Sequence, residues 1–439
     1  MSTRKGWIFS KVLAIAATGF LTWFLTAIRL IPFNALTCAA VTILCAVICF
    51  FLLRKESKEK TECFPVDRIS LIYWEELLFF LAFLMWTYLA GFRPAAYGTE
   101  KFMDYGFMEA MMRSTTLPAR DLWYSEGHIN YYYGGQYFAV FLTKLSHTKV
   151  ELTYNLMRTF VAGLAFAMPF SLVYQMMSDR MKGQQKSEKV IKGLPFAAGF
   201  TAGTAVSIAG NMHYVIYAQI IPLIEKLTGK EVSSYWFPDA TRYIGYNPYR
   251  EEDRTIHEFP CYSFVLGDLH AHVVNIMFVL LVIALLYVWL RGVRKKTVPV
   301  ETSMKDGKFW KEQLLMPHLL VISALLGMFQ WTNFWDFVIY YVVTLGTVLF
   351  ANIIRFQGKI KKIMVVTFAQ MAEIYLLAYL VILPFTLQFD TMVDGIGIAK
   401  YHSYFYQLLV LWGLPAVFTI TFVISILWEK LRGMEHKSL

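Results

Sequence analysis

Gln136 to Leu145 reads QYFAVFLTKL. The run is apolar, but ten residues of helix rise only about 15 Å, and a spanning helix needs roughly 20 residues to cross the hydrocarbon core. Its reading decides the topology. Taken as a span, it would reverse the side of every later loop and place the lysine-rich loops outside, against the tendency of Lys and Arg to remain cytoplasmic. It is therefore read as an interfacial or re-entrant helix lying against the outer membrane surface. The run from Tyr214 to Leu227, interrupted by Pro222, is read the same way.

On either side of this segment the chain consists of long apolar runs. Of its 439 residues 57% are hydrophobic, 17% aromatic and 16% charged, well below the charged fraction of about 25% usual in soluble domains. Ten stretches are long enough to span: about 8–30, 36–53, 70–90, 152–177, 194–212, 273–291, 314–330, 335–354, 364–386 and 404–428. The first is too long for a signal-peptide core and is followed at once by a second span, so it is kept as a helix. The fold expected is an all-α polytopic membrane protein forming one integral membrane domain over 1–439. Residues 1–68 supply two N-terminal spans and a basic loop, and 69–439 the core.

Orientation follows from the basic residues. The loops 54–68, 178–193, 291–312 and 355–362 carry five, five, seven and four Lys or Arg, and they alternate with the other loops, as one shared cytoplasmic face requires. Both termini then lie in the cytoplasm, and the outer face of a plasma (inner) membrane receives 91–151, 213–272, 331–334 and 387–403. The net charge of +10 is explained by these loops, so no nucleic-acid partner is expected. Cys38, Cys45, Cys49, Cys63 and Cys261 form no disulfide framework and are expected as free thiols.

The polar chemistry is concentrated in the outer loops. Gly98 to Gln136, directly before the short apolar run, reads GTEKFMDYGFMEAMMRSTTLPARDLWYSEGHINYYYGGQ. Glu100 and Asp104, four apart, share one face of a helix with Lys101 and Phe107 close by. Such a pair can hold a divalent cation (Mg, Mn or Zn), or one carboxylate can act as a general base; a solvated acidic face balanced by Lys101 and Arg113 is the plain alternative. Arg120, Asp121, Trp123, His128, Asn130, Tyr131, Tyr132 and Tyr133 follow as a turn-rich aromatic patch. An aromatic belt at headgroup level accounts for the tyrosines, but not for Asp121, His128 and Asn130 among them.

A second constellation, His257 to His272, reads HEFPCYSFVLGDLHAH. In an extended segment Asp268, His270 and His272 point the same way, which suits a metal site completed by His257 and Glu258, or a hydrogen-bonded polar cluster at a helix start. A third holds Asn333, Trp335 and Asp336 at a tight outer connection, where Asp336 or Thr332 is also placed to cap a helix. Within the spans the charges are Glu75, Glu76, Arg158 and Glu373, each a functional candidate by position.

Gly98-Thr99-Glu100-Lys101 with Met103-Asp104, Asp121-x-Trp123, Asn130-Tyr131-Tyr132-Tyr133, Pro260 with Ser263-Phe264, Gly267-Asp268-Leu269-His270, and Asn333-x-Trp335-Asp336 together resemble the bacterial and archaeal "YYY" membrane protein family. The resemblance covers islands between 98 and 336. Phe102 and Leu122 stand where that family places proline. The family in turn resembles the GT-C glycosyltransferase superfamily. That resemblance implies a GT-C-like core with juxtamembrane helices in its outer loops, and an inverting transfer of sugar from a polyprenyl-phosphate donor to a lipid, glycan or protein acceptor on the extracytoplasmic face. Asp104 or Glu100 would then be the base, with Lys101, Arg113, Arg120 or a bound cation balancing the departing phosphate. Two other readings are a metal-dependent hydrolase centred on Asp268, His270 and His272, and a transporter or lipid-binding scaffold leaning on Glu373 and Arg158.

Overall fold

The structure, a computed structural model, describes residues 6–59, 69–181, 188–295, 304–391 and 397–435. Cys63, most of the basic loop 54–68, and parts of the loops 178–193, 291–312 and 387–403 lie outside the described residues. The helices in chain order are α1 (Trp7–Ala27), α2 (Ala35–Glu59), α3 (Ile69–Gly91), α4 (Lys101–Arg113), α5 (Gly134–Ser146), α6 (Val150–Met181), α7 (Glu188–Ser207), α8 (Ile221–Leu227), α9 (Pro260–Leu266), α10 (Ala271–Lys295), α11 (Gly307–Leu314), α12 (Pro317–Thr332), α13 (Phe334–Phe356), α14 (Ile360–Val381), α15 (Leu383–Thr386) and α16 (Phe405–Glu435). Among the described residues no strand forms beyond two isolated bridges, Arg120 with His128 and Tyr246 with Tyr249. Cys38, Cys45, Cys49 and Cys261 are free thiols.

Eight of these helices are long and apolar enough to cross a membrane, and nine if α11 and α12, bent by 51° to one another, make one span. Ten spans were expected; the run expected at 194–212 is α7, which ends at Ser207 and is not among the qualifying helices of the described residues. The protein is thus an all-α, multi-pass integral membrane protein. Exposure supports the assignment independently of length. Along α2, Ile43, Leu44, Val47, Ile48, Phe50, Phe51, Leu52 and Leu53 are all exposed, an apolar surface that costs heavily in water and nothing in lipid.

Internal packing divides the chain into two compact units, 1–207 with 267–391 and 208–266 with 392–439. In the first, α6 and α10 form the centre: 78% and 72% of their apolar windows are buried by protein, against 11% for α2. Gly199 and Gly203 of α7 lie against α6 so closely that a Cβ would stand 2.6 Å from the Phe170 carbonyl and 2.7 Å from that of Phe166. This small-xxx-small spacing lets backbones approach where lipid supplies no hydrophobic drive. At one end of the bundle Glu75, buried, accepts from Ser171 at 2.5 Å, while Glu76 accepts from Trp7 and from Lys11, the latter at 2.5 Å. These two intramembrane carboxylates anchor the start of α1.

The short apolar run is indeed a non-spanning helix, α5, but its surroundings differ from expectation. It is enclosed by protein rather than open to lipid: almost every residue from Gly134 to Lys144 is buried within the first unit. Gly134 abuts Trp331 and Thr332 of α12, Gly135 abuts Val274 of α10, and Phe138 fills the space beside Gly19 of α1 and Phe278 of α10. Tyr137 donates to the Gly19 carbonyl at 2.8 Å. A helix apolar on all sides is stabilised by protein neighbours all round, and two glycines in its first turn permit them. Tyr133, just before it, is fully buried and accepts from Trp23 Nε1 at 3.0 Å.

In the second unit Tyr214–Leu227 is short and non-spanning, a π-turn over Val215–Ile220 running into α8 at Pro222. Tyr243, Ile244, Val410 and Leu411 form its core.

Candidate functional site: a histidine between two carboxylates

The site begins with a turn. Gly98 and Thr99 adopt positive φ, +82° and +48°, which reverses the chain between α3 and α4 and leaves Glu100 as the N-cap of α4. Lys101, Asp104, Phe107, Met108 and Met111 recur at helical spacing and form the buried face of α4. Asp104 is thereby carried inward and has no exposure, while Glu100, at the helix end, stays 61% exposed.

The opposing wall comes from Gly267 to His270, between α9 and α10. Gly267 has φ +84°, and its carbonyl accepts from Arg158 Nη1 at 2.9 Å. A Cβ at this glycine would stand 1.4 Å from that guanidinium nitrogen, so only glycine fits the turn. The next residues, 268–270, form no regular secondary structure and reach α4. Asp268 Oδ1 accepts from Thr99 Oγ1 at 3.0 Å. His270 Nε2 lies 2.7 Å from Glu100 Oε2 and Nδ1 lies 3.0 Å from Asp104 Oδ2. Gln136 Nε2, buried on α5, donates to Asp104 Oδ1 at 2.7 Å and to the Leu269 carbonyl at 3.2 Å.

Electrostatics follow from this arrangement. Both ring nitrogens of His270 lie at ion-pair distance from carboxylate oxygens, an arrangement that favours the doubly protonated ring. Burial alone would depress its pKa, but the adjacent carboxylate of Asp104, with Asp268 and Glu100, outweighs burial and raises it to about 9. Burial pushes Asp268 up, opposed by His270, Thr99 and Lys101. Burial pushes Lys101 down, opposed by Asp268. Tyr131, beside the acids, is raised to about 12 by burial and by Asp104 and Glu100.

Glu100, Lys101, Asp104, Asp268 and His270 are therefore brought together, with Tyr131 at their edge. Of the other residues singled out in the sequence, Asp121, Trp123, Asn130, Tyr132 and Asp336 serve the scaffold. Asp121 Oδ1 accepts from the backbone of Trp123 and Tyr124, closing a turn. Trp123 rests on Phe102 and Phe107 and against Gly106. Asn130 clamps Asp390 through two backbone bonds of 3.0 Å. Tyr132 stacks near Phe389. Asp336 accepts from Asn275 and from Asn333 at the head of α13; Trp335 is exposed. Arg113, Arg120 and His128 are exposed.

The extended Asp-x-His-x-His face does not form as expected. Ala271 opens α10, so His272 sits in helix and leaves the alternating pattern, although its ring remains 5.9 Å from that of His270. His257 and Glu258 belong to the second unit, where Glu258 accepts from Ser263 at 3.1 Å. Among the described residues no three of His, Cys, Asp and Glu are grouped to hold a metal ion.

Thr99, Gln136 and Gly267 were not singled out as site residues. Gln136, the one amide at the head of an apolar run, carried a readable signal: a buried polar group needs partners.

No curated protein and no solved structure matches the chain. Residues 17–438 match a family described as an uncharacterized membrane protein, DUF2298. With nearly its whole length covered by that match, the chain belongs to the DUF2298 family of membrane proteins.

Proposed function

We propose that the protein is a membrane glycosyltransferase that moves a sugar from a polyprenyl-phosphate donor to an acceptor hydroxyl on the extracytoplasmic face, with Glu100 as the general base. The observation that carries this reading is the exposed Glu100 carboxylate, fixed at 2.7 Å by His270, which is itself fixed by the wholly buried Asp104. A base must reach its substrate and hold still. Of the two acids only Glu100 is accessible. Asp104 and His270 are positioning residues.

In the transfer the acceptor oxygen attacks the anomeric carbon and its proton passes to Glu100. The bond from that carbon to the phosphate oxygen breaks, the phosphate leaves with the electron pair, and the configuration inverts. Lys101 is buried and its charge is directed at Asp268, and Arg113 lies about 20 Å from Glu100 at the far end of α4, so the exposed Arg120 is the cation proposed to meet the departing phosphate. The resemblance of the sequence islands to the YYY family, and of that family to the GT-C superfamily, adds support, because the cluster is assembled from two of those islands, 98–104 and 267–270.

The test is transfer by the purified protein in liposomes supplied with radiolabelled polyprenyl-phosphate sugars and a membrane extract as acceptor source. Product from wild type and none from Glu100→Gln is the expected result. Equal product from both rejects Glu100 as the base; absence of product from wild type across the common donors rejects the reading.

A further inference from the structure

The pair Glu100 and Asp104 is where a divalent cation would be sought, and the structure fills that place with a side chain. Asp104 Oδ2 and Glu100 Oε2 lie on different edges of one imidazole ring, at 3.0 and 2.7 Å from its two nitrogens. A magnesium or manganese ion needs oxygens converging at about 2.1 Å on one point. Here they are held apart by the ring.

Charge leads to the same conclusion. Three carboxylates, Glu100, Asp104 and Asp268, are matched by three basic groups: His270 at ion-pair distance from the first two, and Lys101 and Arg158 acting on Asp268 through their charge. Lys101 and Arg158 are both more than nine-tenths buried and both interact with the charge of Asp268. Arg93, whose charge Lys101 also senses, is exposed. No uncompensated negative charge remains to draw in a dication. Asp104, with no exposure, has His270 as the cation paired to it at ion-pair distance, and without that partner it would be a costly buried anion.

We propose that the imidazolium of His270 stands in for a divalent cation, bridging Glu100 and Asp104, so that this centre works without bound metal and becomes a divalent-cation site when the ring is removed. The inference concerns the same cluster as the glycosyl-transfer reading but rests on geometry and charge alone.

Manganese binding, followed by electron paramagnetic resonance on the full-length protein in detergent, tests it without any assay of transfer. Wild type is expected to bind no Mn²⁺ at micromolar concentration. His270→Ala is expected to bind one ion, and His270→Ala with Asp104→Asn none. Stoichiometric binding by wild type that Asp104→Asn abolishes overturns the proposal. So does a folded His270→Ala protein that binds none. Should His270→Ala fail to fold, His270→Gln, closer in size, takes its place with the same two readings. Failure of this test leaves the transfer assay with Glu100→Gln to stand or fall independently.

Discussion

Glu100 and His270, 170 residues apart in the chain, meet at 2.7 Å. One ends the turn before α4 and the other ends the segment before α10, so two loops that each look merely polar become one site, joined by two ion pairs and the Thr99–Asp268 hydrogen bond. The partners differ in what they can do. Glu100 is exposed, whereas His270 is held from behind by buried Asp104.

Glu100→Gln is expected to leave the fold intact and to lower transfer by about 100-fold or more, the usual weight of a general base. Thermal unfolding and transfer in liposomes, measured on the same preparation, separate the two effects. A loss of stability as large as the loss of rate would mark Glu100 as structural.

Asp104→Asn is expected to destabilise the protein by about 3 kcal/mol, because it leaves a charged imidazolium half-paired in a buried place. It also removes the strongest influence holding His270 protonated. The high-pH limb of activity should therefore move to lower pH, which a purely structural defect would not produce; an unmoved limb with reduced activity argues against the positioning role.

The wild-type cluster has a defined pH window. His270 is raised in the folded state to about 9, above its unfolded value of about 6.5. A raised pKa means that the ion pairs stabilise fully below about 6.5 and are lost as pH rises through about 9. Melting temperature should accordingly fall across that interval in wild type and stay flatter in His270→Gln.

Two glycines of nearly equal φ offer a control on each other. Gly267→Ala meets Arg158 at 1.4 Å, while at Gly98, with φ +82°, nothing lies within 4 Å of a Cβ. Gly98→Ala is expected to cost about 1 kcal/mol of backbone strain. Gly267→Ala should cost more and also abolish transfer, since Arg158 and the Asp268–His270 segment must both shift. Equal melting temperatures for the two variants would contradict this.

Among the three tyrosines only Tyr133 is fully buried with its hydroxyl bonded to Trp23. Tyr133→Phe leaves the Trp23 N–H without that partner and should cost about 1–2 kcal/mol. Tyr132→Phe should be near neutral. Chemical denaturation followed by tryptophan fluorescence distinguishes them.

Much of the fold was legible in the sequence because lipid imposes a simple rule. Every spanning backbone must satisfy its own hydrogen bonds, so apolar length alone marks the helices. Gln136 to Leu145 was recognisable as too short to span for the same reason. Its burial was not legible: whether an apolar helix meets lipid or protein depends on neighbours such as Trp331, Val274 and Gly19 that lie far along the chain. The site divided in the same way. Glu100, Asp104, Asp268 and His270 were visible as polar residues in an apolar chain. Of the two readings of Asp268, His270 and His272, the shared extended face presumes extension through position 272, whereas the helix starts at Ala271.

The sequence by itself determined the class of the protein and the two loops where its chemistry is gathered, since hydropathy and charge are properties of local composition. Only the tertiary structure decided which acid is exposed, which is buried and what stands between them. Those are relations across 170 residues, set by the turns at Gly98 and Gly267 and by the packing of α5 beneath the cluster, and no local pattern encodes a distance between two loops.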